Sequence, residues 1–242
     1  EGLKIGDSDI EIVPWGEITL QYDDNVFLSR ENKKDDIAII LTPGVSLLAP
    51  FQDNLLKLDY YVDINRYLDN GSQDANNHHF SADLLLKMRD VTFNIYDKFD
   101  HVFERPSTED TSRVKRDDNR AGATVKLQME RLGIQLGYEN FIRNYKSDPV
   151  YDAYDRTEDI YSFVLTHKTF PKTELLLEYD FGKIRHDQSV RSDSDYNQLL
   201  VGATGNLTQK TTATIKTGYQ IRMYEGSDDP NYDTWVLYSD II

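Results

Sequence analysis

The sequence predicts an all-β protein: an antiparallel, up-and-down transmembrane β-barrel whose strands follow one another as a meander. Short polar turns recur about every 40 residues, and longer loops rich in Asp, Asn, Ser and Gly recur at the same spacing. Almost every segment between a turn and a loop alternates apolar and polar residues. Hairpins with short turns at one end and long loops at the other are typical of barrels that cross a membrane.

The turns and loops set the number of strands. The short turns are predicted at Gln52–Asn54, Arg89–Asp90, Glu130–Arg131, Thr169–Lys172 and Thr208–Lys210. The long loops are predicted at 69–77, 105–118, 146–156, 185–195 and 225–233. These boundaries give about twelve strands, the last at 233–242. We expect one barrel domain over 1–242, with a flexible N-terminal segment at 1–9.

The strand over 56–64 shows the alternation well. Leu56, Leu58, Tyr60, Val62 and Ile64 form one face, and polar residues, with Tyr61, fill the positions between them. Similar apolar faces are predicted, in chain order, within 80–88, 91–95, 121–129, 132–138, 175–181, 199–203 and 213–223. The strand near 157–168 is the least regular, since Ile160 and Val164 fall on its polar face.

Composition separates a barrel from a helical membrane protein. Mean hydropathy is -0.61, and the longest apolar run, 37–41, is far shorter than the roughly 20 residues that a membrane helix needs. A barrel strand needs only every second residue to be apolar. Sixteen Tyr among 12% aromatic residues suit the aromatic girdles found at both membrane interfaces.

Charge and cysteine content exclude other classes. A formal net charge of -15 leaves no basic stripe for nucleic acid, so no nucleic-acid partner is predicted. Cysteine is absent, which excludes disulfides and thiolate metal sites. The five His residues accompany no nucleophile motif, so the sequence predicts no enzyme, no cofactor and no metal site. His79 is expected toward the lumen, beside Asp83.

The polar faces carry too many charges for a dry core, where each would cost several kcal/mol. They are therefore expected to line a water-filled lumen, with both signs in comparable numbers and a slight preference for cations. The predicted pore-lining residues are Lys57, Asp59, Tyr61, Asp63, Asp83, Tyr96, Lys98, Arg120, Lys126, Glu139, Arg143, Glu178, Asp180, Lys216 and Arg222.

The loops hold most of the acidic surplus, including Asp35–Asp36, Glu109–Asp110, Asp117–Asp118 and Asp228–Asp229. Two interpretations of these acidic residues remain open. The acids are either plain solvated loop residues or ligands for divalent cations near lipopolysaccharide. The second reading supports an alternative function, a structural or adhesive surface protein that binds a partner or Ca²⁺ through these loops.

The N-terminal part carries a resemblance to a known family. Tyr22-Asp-Asp-Asn-Val-Phe27 precedes Asp35–Asp36 and then Leu41-Thr-Pro-Gly-Val45. This opening resembles that of a family of outer-membrane β-barrel porins encoded with exopolysaccharide synthesis genes. The family's members are longer barrels, and 239–242 does not end in the usual terminal aromatic. We therefore expect the chain to be part of a larger barrel with an incomplete C-terminal end. Pro43–Gly44 is interpreted as a bend or bulge.

The leading functional hypothesis is an outer-membrane channel for exopolysaccharide export or for passage of hydrophilic solutes. Candidates for a track of sugar-stacking rings are Tyr61, Tyr67, Tyr96 and Tyr145. The alternative interpretation is that these rings are packing residues near the rims of the barrel. The expected partners are outer-membrane lipid and lipopolysaccharide, with secreted polysaccharide and other envelope proteins as further candidates.

Overall fold

The computed structural model describes residues 2–105, 113–146, 150–206, 208, 210–226 and 230–241. Within them, β-strands form nearly all of the regular structure, and two single 3₁₀ turns lie at Gly71–Gln73 and Asp152–Tyr154. The strands are β1 (Leu3–Lys4), β2 (Glu11–Asp23), β3 (Asp36–Phe51), β4 (Asn54–Tyr67), β5 (Ala75–Met88), β6 (Val91–Glu104), β7 (Val114–Gln128), β8 (Leu132–Tyr145), β9 (Arg156–Phe170), β10 (Thr173–His186), β11 (Ser194–Asn206), β12 (Thr212–Tyr224) and β13 (Tyr232–Ile241).

The strands follow one another in a single sheet of thirteen, in the order β1 to β13. Each strand lies beside its sequence neighbours, and the pairing is antiparallel, as in the ladder from Thr173↔Gly205 to Ile184↔Ser194. The all-β, up-and-down arrangement predicted from the sequence is therefore confirmed. The strand beyond the predicted twelve is β1, whose two residues pair with Glu11 and Ile12 of β2. Among the described residues, no pairing joins β1 to β13, so the sheet has two edges.

Two compact units can be distinguished within the chain. The first comprises Glu1–Leu84, Tyr96–Arg120 and Ile142–Asp155. The second comprises Leu85–Ile95, Ala121–Phe141 and Arg156–Ile242.

In the second unit, apolar side chains are exposed and polar ones are sheltered. Trp235 and Leu237 on β13 are 75% and 69% exposed, while Gln198 on β11 and Asp180 on β10 are only 7% and 9% exposed. Successive residues of a strand point to opposite faces, so each strand presents one apolar and one polar face. This distribution is the reverse of that in a soluble protein, which buries its large apolar residues.

The first unit shows the same reversal. Ile18 and Leu20 on β2 are 73% and 71% exposed, and Tyr60 on β4 is also exposed. By contrast, Asp36 and Ala38 at the start of β3 are buried. The ladder between β2 and β3 runs without a shift from Glu11↔Leu48 to Asp23↔Asp36, so the alternation stays in phase along both strands.

No bulge interrupts β3 at Pro43–Gly44. The register with β4 is the same on either side, at Leu41↔Ile64 and Gly44↔Tyr61, so the predicted bulge is wrong and the alternative, a bend, stays a prediction. Gly44 has a different role, because the indole ring of Trp15 lies where a Cβ would be. The glycine lets this aromatic ring lie flat across the strand.

Side-chain oxygens of Asp and Asn close four long loops in the same way. In each loop, the backbone N–H of the last residue of one strand donates to a side-chain oxygen near the start of the next strand. The four pairs are Tyr67 to Asp74, Tyr145 to Asp155, His186 to Asp193 and Tyr224 to Asn231, at 2.7 to 2.9 Å. Much of the loop polarity therefore satisfies strand ends.

Several strands extend further into the predicted loops than expected. The dense charge of 105–118 predicts a loop, yet β7 already begins at Val114, and Asp117 and Asp118 lie within it. Ion pairs of Arg116 and Asp118 compensate for the missing apolar alternation in this part of β7. The predicted loop acids Glu109, Asp110, Asp228 and Asp229 lie outside the described residues.

Among the described residues, no helix has both the length and the apolar character needed to span a membrane.

Replacement of Asp155 tests the loop-closing interaction. Asp155→Ala leaves the N–H of buried Tyr145 without its acceptor, so we expect unfolding to become easier by about 1–2 kcal/mol. Asp155→Asn keeps an acceptor oxygen, as Asn231 does in its loop, and should cost less than half as much. Urea titration in detergent, followed by tryptophan fluorescence, measures both changes. Equal losses in the two variants would show that the carboxylate charge matters, not the hydrogen bond.

Candidate functional site

The sheltered polar face of the strands is the candidate functional site. In the second unit, its centre is a network on β10 to β13. Lys216 Nζ binds both carboxylate oxygens of Glu178, at 3.0 and 2.9 Å. Gln198 donates to Asp180 at 3.2 Å, and Tyr238 donates to Gln198 at 3.0 Å. Four strands are thus connected by side chains as well as by their backbones.

A layer of aromatic rings and an arginine lies beside this network. Arg222 sits over the rings of Tyr196 and Tyr232, with 5.3 and 6.0 Å between the guanidinium carbon and the ring centroids. Tyr196 lies across Gly182, where a Cβ would collide with its ring. Cation–π contacts of this kind keep a charge in a polar face without a carboxylate partner.

In the first unit, hydroxyl groups and a lysine hold two carboxylates. Ser46 donates to Asp59 at 2.5 Å, and Lys57 Nζ lies 2.9 Å from the same carboxylate. Thr42 donates to Asp63 at 2.6 Å. Because Ser46 and Thr42 lie on β3 and the carboxylates lie on β4, the two hydroxyl contacts bridge neighbouring strands.

His79 lies between two carboxylates on the same face. Its Nδ1 is 2.6 Å from Asp100 Oδ1, and its Nε2 is 3.4 Å from Asp63 Oδ2. Tyr61 stacks on the imidazole at a centroid distance of 4.5 Å, and Trp15 lies 5.6 Å from Tyr61. The sequence correctly placed His79 on the polar face, but its partners are Asp63 and Asp100.

An ion cluster connects β6, β7 and β8. Asp118 binds Arg143 through both carboxylate oxygens, at 2.7 and 2.8 Å, and binds Arg116 at 3.0 Å. Arg116 also reaches Glu104 at 3.2 Å. Such bidentate arginine–carboxylate pairs fix both position and orientation.

The structure brings many of the predicted pore-lining residues into these groups of contacts. The members are Lys57, Asp59, Tyr61, Asp63, Arg143, Glu178, Asp180, Lys216 and Arg222. The other predicted residues, all within strands, are Asp83, Tyr96, Lys98, Arg120, Lys126 and Glu139. For all fifteen residues, a role in lining a pore stays a prediction.

Several members of the networks were not among the predicted residues. Arg116 and Asp118 fall in a predicted loop, although they share the even numbering of Arg120 on β7. That shared parity was the signal that could have placed them. Tyr196 and Tyr238 also belong to the polar face, and nothing in their sequence neighbourhood pointed to a partner.

Rings proposed for a sugar track contact other side chains. Tyr145 is buried and lies 5.5 Å from Tyr151, while the guanidinium of Arg113 sits over the ring of Tyr67. His79 covers one face of Tyr61. These contacts agree with the packing interpretation and leave Tyr145 without an exposed ring face.

Exposed tyrosines on the apolar face repeat one arrangement. Each hydroxyl reaches a polar side chain on the next strand: Tyr60 with His78 at 2.8 Å, Tyr138 with Asp159 at 2.7 Å and Tyr179 with Asn197 at 2.6 Å. The ring thus stays among apolar neighbours, and the hydroxyl meets polar groups. This is how tyrosine behaves at a membrane interface.

Residues 2–235 match the model of a protein family described as "Putative beta-barrel porin 2". No curated protein matches the chain. Among the described residues, no group of three or more His, Asp or Glu is arranged to hold a metal ion.

Asp118 is the best position for testing the ion cluster. Asp118→Asn leaves two sheltered guanidinium groups without their shared counter-charge, so we expect a loss of about 3 kcal/mol in unfolding free energy. Arg89→Gln is the control, because this arginine is 92% exposed beside Asp90 and should change stability by under about 0.5 kcal/mol. Urea titration measures both variants. Similar values for the two would mean that the cluster contributes no more than a surface pair.

Proposed function

The chain belongs to the "Putative beta-barrel porin 2" family, and from this premise we propose that it forms part of an outer-membrane channel that passes exopolysaccharide or similar hydrated sugars. The family supports an outer-membrane barrel channel; the choice of polysaccharide as cargo is our own proposal. The channel acts by passage alone and has no catalytic step.

The observation that carries this proposal is the reversed distribution of side chains. Exposed residues such as Trp235 and Leu237 would be unfavourable in water but suit contact with lipid tails. The opposite face has ion pairs such as Lys216–Glu178, which require a polar surrounding. One face for lipid and one for water are what a channel wall needs.

The sheet edges add a requirement. Unpaired backbone N–H and C=O groups are not tolerated within lipid, so the outer edges of β2 and β13 must be paired for conduction. Pairing with each other or with further strands would both meet this condition.

One cleft on the polar face offers hydrogen-bonding groups that suit sugars. The cleft of about 330 Å³ lies in the first unit, in the size range of ligand sites. Its lining combines the neutral groups of Gln21, Asn65, Tyr67 and Asn77 with charged residues of both signs, which are Asp23, Asp63, Glu104, Arg105 and Arg113. The side-chain oxygen of Asn65 is buried there without a hydrogen-bond partner among the described residues. Amide groups and an unused acceptor offer a sugar hydroxyl the hydrogen bonds it loses on leaving water.

Single-channel recording tests the proposal. The full mature protein is inserted into a planar lipid bilayer, and current is recorded with and without the host's own exopolysaccharide. We expect stable current steps that the polymer blocks reversibly, and no block by a neutral polymer too large to enter. Silence from a folded, inserted protein would overturn the channel. Steps that ignore the polysaccharide would keep a channel and remove this cargo.

A second measurement asks which face meets the ions. Lys216→Gln removes a positive charge beside Glu178 on the polar face, so the cation-to-anion permeability ratio should rise roughly twofold. Lys183→Gln removes a lysine from the opposite face of β10. Lys183 and Glu178 are an odd number of residues apart on this strand, so their side chains point to opposite faces. It should leave the ratio unchanged. Reversal potentials in a KCl gradient give both values, and an equal shift in the two variants would contradict the assignment of faces.

A further inference from the structure

We propose that the β2–β3 loop, residues 24–35, folds over the polar face of the first unit and narrows the channel there, and that Arg105 holds the loop in this position. The loop then limits the size of the solutes that pass. The narrowing rests on the channel proposed above, whereas the position of the loop can be tested without conduction.

One hydrogen bond joins the loop to a distant strand end. The guanidinium of Arg105, which directly follows β6, donates to the backbone carbonyl of Val26, 79 positions earlier in the chain. In the sheet, β2 and β6 are four strand spacings apart, or about 19 Å at roughly 4.8 Å per spacing. An arginine side chain is too short to span that distance. The loop must therefore extend from the end of β2 across the ends of β3, β4 and β5.

Burial at the long-loop end of the polar face agrees with a covering loop. Val26 is 0% exposed, and beyond the loop Ala38 and Val102 are only 2% and 3% exposed. Both lie on the polar face, since Ala38 borders the cleft described above and Val102 is two residues from Asp100, the partner of His79. A wall that faced open water here would leave these positions accessible. Coverage by the β2–β3 loop accounts for their burial.

The anchor of the loop also belongs to the cleft of about 330 Å³. Arg105 borders this cleft together with Asp23, the last residue of β2, and Asn65 on β4. Arg105 Nε and Asn65 Oδ1 are buried, and neither has a hydrogen-bond partner among the described residues. A sugar that passes the loop thus meets one unused donor and one unused acceptor at the same place.

Hydrogen bonds within the loop make it compact. The N–H of Val26 donates to the carbonyl of Lys34 at 2.8 Å, which closes the loop near its base. The side chain of Asn25 accepts the N–H of Ser29 at 2.9 Å and donates to the Ser29 carbonyl at 3.0 Å. These contacts enclose Leu28, whose φ of 50° is uncommon outside glycine. Because the loop has its own internal structure, a single anchor can position it as a unit.

Thiol labelling tests the position of the loop. The chain has no cysteine, so V26C introduces its only thiol. The folded protein in detergent is treated with a bulky maleimide, and the rate is compared with that of K33C, an exposed position in the same loop. We expect V26C to react at least about tenfold more slowly, since a buried thiol reacts only when the local structure opens. Equal rates would overturn the covering position of the loop.

Removal of the anchor tests the role of Arg105. In an R105A background, V26C should react nearly as fast as K33C, because the loop has lost its contact with the end of β6. The matched control is R30A, the same substitution at an exposed arginine of the loop, which should leave V26C protected. Heat-dependent gel migration checks the folding of every variant. Unchanged protection in R105A, or an equal loss in R30A, would contradict the anchoring role.

Bilayer recording tests the narrowing. We expect R105A to raise single-channel conductance by at least about 1.5-fold and to admit larger neutral polyethylene glycols, since pore diameter sets what passes. R30A should change neither value. Neutral polymers report size, so the lost charge of Arg105 does not account for a new polymer cut-off. An unchanged cut-off in R105A, with V26C exposed, would show that the loop moves without narrowing the channel.

If R105A does not fold, V26D replaces it. A carboxylate at this buried position displaces the loop and leaves the strands unchanged, so larger polymers should again enter. An unchanged polymer cut-off in V26D would overturn the narrowing. A protein that protects V26C but conducts no current would keep the position of the loop and remove the channel, and the narrowing with it.

Discussion

The period of two residues along an extended strand is the constraint on which the rest of this structure depends. It assigns each side chain to one of two faces, and the antiparallel ladders keep neighbouring strands in phase. A slip of one residue in any ladder would move leucines to the polar face and carboxylates to the apolar face. The distribution of polarity therefore stabilises the register as much as the backbone hydrogen bonds do.

Charges lie close together on the polar face, because alternate positions on many strands carry them. Most of the charges described in the networks have a compensating neighbour. Asp118 lies between two arginines, Glu178 binds Lys216, and Arg222 lies on aromatic rings. These contacts cross from strand to strand, so the polar face is ordered by its own side chains. A wall of this kind keeps its shape while water lies against it.

The boundary between the apolar and polar parts of the outer face is set by tyrosine. Tyr60, Tyr138 and Tyr179 each reach a polar side chain on the next strand. Carboxylates in the loops then accept hydrogen bonds from the backbone N–H groups at the strand ends. The repeat seen in the sequence thus corresponds to a repeat of interactions. Acids in these loops serve the backbone, as Asp74, Asp155 and Asp193 each accept a hydrogen bond from a strand-end N–H.

The sequence by itself determined the strands, their order and the face on which most residues lie. These are local properties, and alternation such as that from Leu56 to Ile64 displays them directly. The sequence did not predict the strand where charged residues hide the alternation, as at the start of β7. Only the tertiary structure decided which charges meet. Asp118 and Arg143 are 25 positions apart, and their contact depends on the register of the hairpin that β7 and β8 form. The partners of His79 on β4 and β6 were likewise fixed by pairing between strands, which composition and spacing do not encode.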